Sequence, residues 1–343
     1  MALPIHPPFP PMEALSVDEV PTGAEWQYEP KWDGFRCIAF RDGAKIELQS
    51  KAGQPLARYF PEVVEHLTSL KAKTFVLDGE LAIPAGGAFS FDDLLLRLHP
   101  AESRVRKLAA ASPAIYIVFD LLVDPEGKSL IQKTLRERRS ALERFARAGL
   151  RGCESIRLSP ATVSIDEARG WLKRVGATLD GIIAKRLDMA YCSGTREGMQ
   201  KIKNYRSADC VVGGFRYGTG KKVVGSLLLG LVNDAGKLDH VGFTSTIKAS
   251  EREAITKKLE RLIKPPGFSG RAPGGPSRWN AGKNTEWQPL APCLVVEVSY
   301  DHFTGGRFRH GTKLLRWRPD KAPEQCTFAQ VEQKRANLLQ LLP

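Results

Sequence analysis

Apolar and polar positions change rhythm several times along this chain. Phe35 to Phe40 and Lys45 to Leu48 read as two strands about Asp42-Gly43, a dipeptide suited to a hairpin turn. Phe75 to Ile83, Ala114 to Val123 and Gly181 to Ala184 are apolar runs of β character. Between them, Phe91 to Leu98, Leu130 to Ala148 and Ile165 to Val175 carry the three-and-four spacing of one helix face. Strands interleaved with helices up to about residue 205 predict an α+β or α/β core.

After about Ala208 the texture becomes strand-rich. Val211 to Val232 predicts two strands around the tip Gly218-Thr219-Gly220-Lys221-Lys222, and Leu238 to Thr244 a third. Glu251 to Ile263 reads as a basic helix, followed by a long Gly/Pro-rich loop to Pro292. Cys293 to Tyr300 and Thr312 to Trp317 return to strand character. Short strands with one helix predict a small barrel, with the OB-fold as the natural candidate. A chain of 343 residues exceeds the size at which one core splits into two. We place the boundary within the basic-polar segment Tyr205 to Cys210, giving domains 1–206 and 207–343, and expect rotation there.

Composition narrows the class. Hydrophobic residues make up 42% of the chain, enough for globular cores, and no apolar run approaches the roughly 20 residues of a membrane span. The proline-rich start, Met1 to Met12, lacks the order of a signal peptide, so a soluble cytoplasmic protein without membrane contact is expected. Six cysteines lie far apart without a CxxC pair, and six histidines show no ligand spacing, which argues against a structural zinc site or a disulfide framework. The formal net charge of +13 favours contact with phosphates, although lysine-rich solvated faces would read the same way.

The sharpest chemical signal is Glu29-Pro30-Lys31-Trp32-Asp33-Gly34-Phe35-Arg36. A lysine before a glycine turn, between two strands, holds its amine at the lip of a cleft. Nearby cations or desolvation would lower its pKa enough to make it a nucleophile, and Arg36 on the next strand is one candidate cation. Alone, such a turn is more often plain surface. Further fragments follow in order: Leu77-Asp78-Gly79-Glu80-Leu81, Val118-Phe119-Asp120-Leu121-Leu122, Asp180-Gly181-Ile182-Ile183-Ala184-Lys185, Lys201-Ile202-Lys203 and Arg316-Trp317-Arg318-Pro319-Asp320-Lys321.

Together these fragments resemble the ordered motifs of the covalent nucleotidyltransferases. Among these, the chain looks like an ATP-dependent DNA ligase, close to short bacterial LigC-type ligases and the ligase domain of LigD. The resemblance runs from about Glu25 to Lys321. It implies an α+β nucleotidyltransferase domain of ATP-grasp-like adenylation architecture followed by an all-β OB-fold domain. By the same resemblance, Lys31 attacks the α-phosphate of ATP. Glu29, Arg36, Lys51, Glu80, Phe119, Lys185, Lys201 and Lys203 bind the nucleotide, with Phe119 stacking on adenine. Arg316, Arg318 and Lys321 reach the β- and γ-phosphates on closure. Asp180 and Glu80 are the implied ligands of Mg2+ or Mn2+, hard cations that prefer oxygen. Two positions depart from the family pattern: Lys51 stands where arginine is usual, and Asp180 where glutamate is usual.

The implied substrate is nicked double-stranded DNA, with a monomeric, nucleoid-associated bacterial repair enzyme as the setting and end-binding or polymerase repair proteins as further partners. Lys221, Lys222, Arg307, Arg309 and Lys313 are candidates for sequence-independent phosphate contact. RNA ligases and GTP-dependent capping enzymes share the lysine chemistry and are the nearest rivals. A NAD-dependent ligase fits less well because its cysteine zinc cluster is absent. A non-catalytic DNA-binding module is the alternative from another class, and the intact Lys31, Glu80, Lys201 and Lys203 argue against it.

Overall fold

The computed structural model describes residues 3–175, 179–274, 286–332 and 337–342. The chain divides into two compact units, Met1–Asn204 with Lys334–Pro343, and Tyr205–Gln333. The first is the α+β nucleotidyltransferase domain and the second the OB-fold domain.

Two large sheets and a two-stranded ribbon, Pro84–Ala85 with Ala88–Phe89, are found among the described residues of the first unit. One joins β1 (Leu15–Ser16), β2 (Trp26–Lys31), β8 (Gly181–Arg186) and β9 (Met199–Lys203) in the order β1-β9-β8-β2. The other joins β3 (Phe35–Asp42), β4 (Lys45–Ser50), β5 (Thr74–Ala82), β6 (Ile115–Val123) and β7 (Ile156–Leu158) in the order β4-β3-β5-β6-β7. Period-two alternation gives the five-stranded sheet two different faces. Cys37, Ala39, Phe75, Leu77 and Leu81 pack with Val63 and Leu67 of α1 (Pro61–Ser69) and with Leu142 and Phe145 of α4 (Leu135–Gly149). Ile38, Phe40 and Val76 turn the opposite way, into a cluster shared with Met199. Burial on both faces explains why β6, covered at every position, reads in sequence as an unbroken apolar run.

Three further helices, α2 (Phe91–Arg97), α3 (Glu102–Ala111) and α5 (Ile165–Val175), complete the unit. Helix α4 begins five residues later than the expected Leu130. Thr134 caps it, with its hydroxyl accepting from the Glu137 amide at 3.3 Å while the Glu137 carboxylate accepts from the Thr134 amide at 2.9 Å. This capping box fixes the start more strongly than the apolar residues upstream of it. Helices α1 and α3 are additional to the three expected from the pattern.

The second unit is an antiparallel sheet of β10 (Arg206–Gly218), β11 (Lys221–Val232), β12 (Leu238–Thr244), β13 (Val295–Tyr300) and β14 (Lys313–Trp317). Its order is β12-β11-β10-β13-β14, and the two-residue strand Gln288–Pro289 also pairs with β10. A parallel bridge between Thr244 and Thr312 brings the third strand to the start of the fifth and closes the barrel. Helix α6 (Arg252–Glu260) buries Ile255 and Leu259. The segment expected to act as a hinge is largely strand: Arg206 to Cys210 pair with Tyr300 to Val296 of β13. Buried Ala208 and Cys210 alternate into the barrel core, a pattern that the polar residues between them mask in sequence. Among the described residues, no helix is long and apolar enough to cross a membrane.

The chain returns to the first unit at its C-terminal end. Leu338 and Leu342 bury in a cluster with Trp26, Trp32 and Trp171. The Leu338 amide donates to the Gly87 carbonyl at 2.6 Å, and Arg157 donates to the Leu342 carbonyl at 3.2 Å. Truncating either leucine to alanine should therefore destabilise the first unit by about 2 kcal/mol or more. The exposed Gln340→Ala should change stability by less than about 0.5 kcal/mol. Denaturant melts followed by tryptophan fluorescence report on this cluster directly, and equal midpoints for all three variants would show that the tail does not hold it.

Candidate active site

A cleft between the two sheets of the first unit collects most of the sequence-predicted residues. Lys31 ends β2, and Glu29, two residues earlier, shares its face. The register aligns Lys31 with Gly181 of β8 and Gly181 with Lys203 of β9. One step along, Glu29, Ile183 and Lys201 align in the same way. From the facing sheet come Arg36 of β3, Glu80 of β5 and Phe119 of β6, with Lys51 at the rim.

Two glycines make the approach possible. A Cβ at Gly34 would lie 2.1 Å from the Leu81 carbonyl and 2.9 Å from Glu80 Cγ, so the turn after Lys31 passes directly against Glu80. At Gly181, φ is +152° and a Cβ would come within 2.0 Å of the Ile202 carbonyl. Phe119 owes its direction to a bulge. Gly79 pairs with Val118 and Asp78 with Asp120, which leaves Phe119 without an opposite residue and turned into the cleft. Arg36 Cζ and Lys185 Nζ lie 4.6 Å and 4.4 Å from its ring centroid.

Lys31 donates to the carboxylate of Asp180. Burial lowers its pKa below the ordinary lysine value; Glu80 and Asp33 oppose this, and Lys203 and Lys201 add to it. Arg36, one candidate for the depressing cation, is not among these leading contributors. Its guanidinium forks onto the fully buried Asp78, with both nitrogen–oxygen distances 2.6 Å, and Tyr191 donates to the same carboxylate at 2.6 Å. Lys185 is likewise held in a buried pair, donating to both oxygens of Glu29 at 2.9 and 2.8 Å. Burial pushes Glu80 up to about 7, although Arg36 and Lys31 pull it down. Burial, then Lys203 and Lys51, lower Lys201. Lys51 is paired at 3.1 Å with Glu13 of the N-terminal wall.

Several participants escaped the sequence reading. Asp78 sits within the Leu77-to-Leu81 fragment and shares the parity of Glu80, so alternation alone could have found it. Asp33 lies inside the lysine turn, and its carboxylate comes within 4.8 Å of that of Asp180, a neighbourhood that does not include Glu80. Tyr191 and Glu13 have no local signal, because their contacts arise only on folding.

The remaining candidates belong to the second unit. Arg316 donates to Glu297 at 2.7 Å, Arg318 to Asp209 at 2.8 Å and to Asp320, and Lys321 lies 3.7 Å from Asp209. Lys222 is exposed, with its amine 6.0 Å from the Tyr217 ring centroid, and Arg307 and Lys313 are exposed as well. Arg309 is half-buried. Lys221 opens β11, and its side chain lies outside the described residues.

Comparisons with known proteins agree across both units. Residues 11–203 match the ATP dependent DNA ligase domain family, and residues 220–321 match the ATP dependent DNA ligase C terminal region. DNA ligase C2 of Mycolicibacterium smegmatis is 44% identical over 349 aligned positions, covering 97% of this chain and 96% of its own. DNA ligase C of Mycobacterium tuberculosis is 42% identical, again over 97% of this chain and 96% of its own. A solved structure of mycobacterial DNA ligase D complexed with ATP and MES is 26% identical and superimposes with a TM-score of 0.50, covering 93% of this chain and 98% of that one. With a lysine cleft of this construction and matches through both units, the chain belongs to the ATP-dependent DNA ligase family.

Proposed function

We propose that Lys31 takes AMP from ATP and passes it to the 5′-phosphate of a nick in duplex DNA, where the adjoining 3′-hydroxyl displaces it. The observation that carries this reading is the alignment of Lys31, Lys201 and Lys203 on one sheet face, opposite Glu80 and Phe119 on the other.

In the first step the Lys31 amine, once deprotonated, attacks the α-phosphorus. A phosphorus–nitrogen bond forms as the bond to the leaving pyrophosphate breaks. Lys201 and Lys203 supply positive charge where the transferring phosphoryl group becomes more negative. In the second step an oxygen of the nick 5′-phosphate attacks the same phosphorus and Lys31 leaves, recovering its proton. In the third the 3′-hydroxyl attacks the 5′-phosphorus, a phosphodiester forms and AMP departs. Phe119 offers a flat apolar face to the base. The ion pairs Arg36–Asp78 and Glu29–Lys185 keep the cleft wall in place without consuming Lys31.

The carboxylates suit a divalent cation such as magnesium or manganese. Asp180 is buried and already accepts a cationic group, the Lys31 ammonium, with the Asp33 carboxylate beside it. Asp180 would hold such an ion together with Glu80 or Asp33, and the bound ion would neutralise phosphate charge. In the second unit, Arg316, Arg318 and Lys321 are assigned to the β- and γ-phosphates. Lys222, Arg307, Arg309 and Lys313 are assigned to the DNA backbone.

Wild-type protein incubated with α-labelled ATP and a divalent metal should carry label through a denaturing gel, and Lys31→Ala should carry none. A nicked duplex added afterwards should discharge the label as the nick closes. Label taken from GTP in place of ATP would favour a capping enzyme, and folded wild type without label would exclude adenylyl transfer.

Glu80 generates a pH prediction. Its folded pKa, about 7, lies above the ordinary carboxylate value, so the folded state binds its proton more tightly than the unfolded state does. Stability from this group is full below the ordinary carboxylate pKa and falls as pH rises toward 7. Glu80→Gln should thus be more stable than wild type at pH 8 by on the order of 2 kcal/mol, with little difference near pH 4. It should at the same time lose most lysine adenylylation. Denaturant melts at the two pH values, with labelling on the same preparations, test this; a pH-independent difference would show that Glu80 is not strained by ionisation.

A further inference from the structure

The stretch from Phe9 to Ala14 carries no regular secondary structure, yet Pro11, Met12, Glu13 and Ala14 line the cleft. Main-chain groups outside helix and sheet need other partners, and here they find them. The Phe9 amide donates to Gln49 Oε1 at 2.8 Å, and the Phe9 carbonyl accepts from Gln49 Nε2 at 2.7 Å. Pro10 and Pro11 have no N–H to satisfy. Their carbonyls accept from the Ser193 hydroxyl at 2.6 Å and the Gly194 amide at 3.2 Å. The Glu13 amide donates to the Thr195 carbonyl at 2.7 Å.

Met12 differs, because both its main-chain groups join the charged wall of the cleft. Its amide donates to the hydroxyl of Tyr191 at 3.0 Å, and its carbonyl accepts from Arg36 Nη2 at 3.4 Å. Tyr191, buried in the loop between β8 and β9, donates in turn to Asp78 at 2.6 Å. Asp78 is the carboxylate that holds the Arg36 fork. Met12, Tyr191, Asp78 and Arg36 thus close a ring of hydrogen bonds. A tyrosine hydroxyl has one proton to give, so donation to Asp78 leaves a lone pair for the Met12 amide. The Tyr191 ring is held independently by packing. It stacks on Phe9 with centroids 6.2 Å apart, and the Arg138 guanidinium carbon lies 5.5 Å from its centroid.

Two cations assigned to the nucleotide meet this stretch. Arg36, whose guanidinium carbon is 4.6 Å from the Phe119 centroid, touches the Met12 carbonyl. Lys51 pairs at 3.1 Å with Glu13, the next residue, and Arg196 lies 3.6 Å from the same carboxylate. We propose that Tyr191 is a positioning residue for nucleotide capture. Its hydroxyl seats Met12 against Asp78, which orients Arg36 beside Phe119 and brings Glu13 to Lys51 before ATP enters. The proposal rests on the adenylylation of Lys31 and adds a residue that does not itself line the cleft. Seating the wall assists binding of ATP and not the attack by Lys31, so its loss falls on half-saturation and not on the maximal rate.

The test uses the full chain and labelling of Lys31 in a single turnover at graded ATP concentrations. Tyr191→Phe keeps the ring packing and removes only the hydroxyl. Its half-saturating ATP concentration should rise about fivefold to tenfold, with a maximal rate within about twofold of wild type. The Met12 amide, left without its acceptor, should exchange with deuterium faster than in wild type. Ser193→Ala removes the tether at Pro10 but leaves the Tyr191 hydroxyl in place, and should keep the wild-type half-saturating concentration. A tyrosine that served stability alone would lower the denaturation midpoint without moving half-saturation, and that result would overturn the proposal. Unchanged Met12 exchange in Tyr191→Phe, or an equal shift of half-saturation in Ser193→Ala, would overturn it too. Absence of labelling in wild type would instead overturn the adenylylation reading on which it rests.

Discussion

The contact between the Lys31 ammonium and Asp180 sits in a cleft where burial alone would favour the neutral amine. A lysine held entirely by a carboxylate would be inert, and one surrounded only by apolar groups would not stay at the end of its strand. The fold sets the two tendencies against each other. Desolvation, Lys201 and Lys203 draw the proton off, while Glu80 and Asp33 hold it on. Such a balance exists only where several charges share a water-poor space, because in bulk water none of these terms would exceed the thermal energy by much.

Sharing that space requires two sheets whose facing sides carry charge while their other sides carry the core. The five-stranded sheet does this by strict alternation: Arg36, Asp78 and Glu80 point inward on the same parity as Ile38 and Val76, and the intervening residues pack on helices. Half-buried Arg36 and fully buried Asp78 then cancel one another, which leaves Glu80 as the inward carboxylate of β5 without an arginine fork. Its elevated pKa follows from that division of labour. Glu29 and Lys185 repeat the device on the four-stranded sheet. The cleft is thus walled by closed ion pairs and floored by groups whose charges remain negotiable.

This organisation was partly legible in the sequence. Period-two spacing is enough to put Lys201 and Lys203 on one face, whereas the glycines beside Lys31 and Asp180 read in sequence only as turn residues and their close backbone approach emerges with the fold. Resemblance named Phe119, but only the bulge opposite Gly79 explains why one residue of an otherwise buried strand faces the cleft. Arg36 shows the limit: its partner Asp78 is on the adjacent strand, and Tyr191, which shares that carboxylate, is 113 residues farther along. The same holds for the return of Leu338 and Leu342 to the first unit, since an apolar tail of six residues has no periodicity to declare its partner. Local pattern shows which face a residue occupies; what stands opposite it is settled by tertiary contact.

The second unit carries two physically different kinds of cation. Arg316, Arg318 and Lys321 are each already engaged by Glu297, Asp209 or Asp320. A single phosphodiester charge gains little by competing with a carboxylate that is tethered in place, whereas a polyphosphate bearing several charges can displace it. Exposed Lys222, Arg307 and Lys313 form no ion pair among the described residues, so a single phosphate charge meets no competitor there. Counting cations on the surface would treat the two groups alike. Their carboxylate neighbours separate residues suited to a compact, highly charged nucleotide tail from residues suited to the evenly spaced single charges of a DNA backbone.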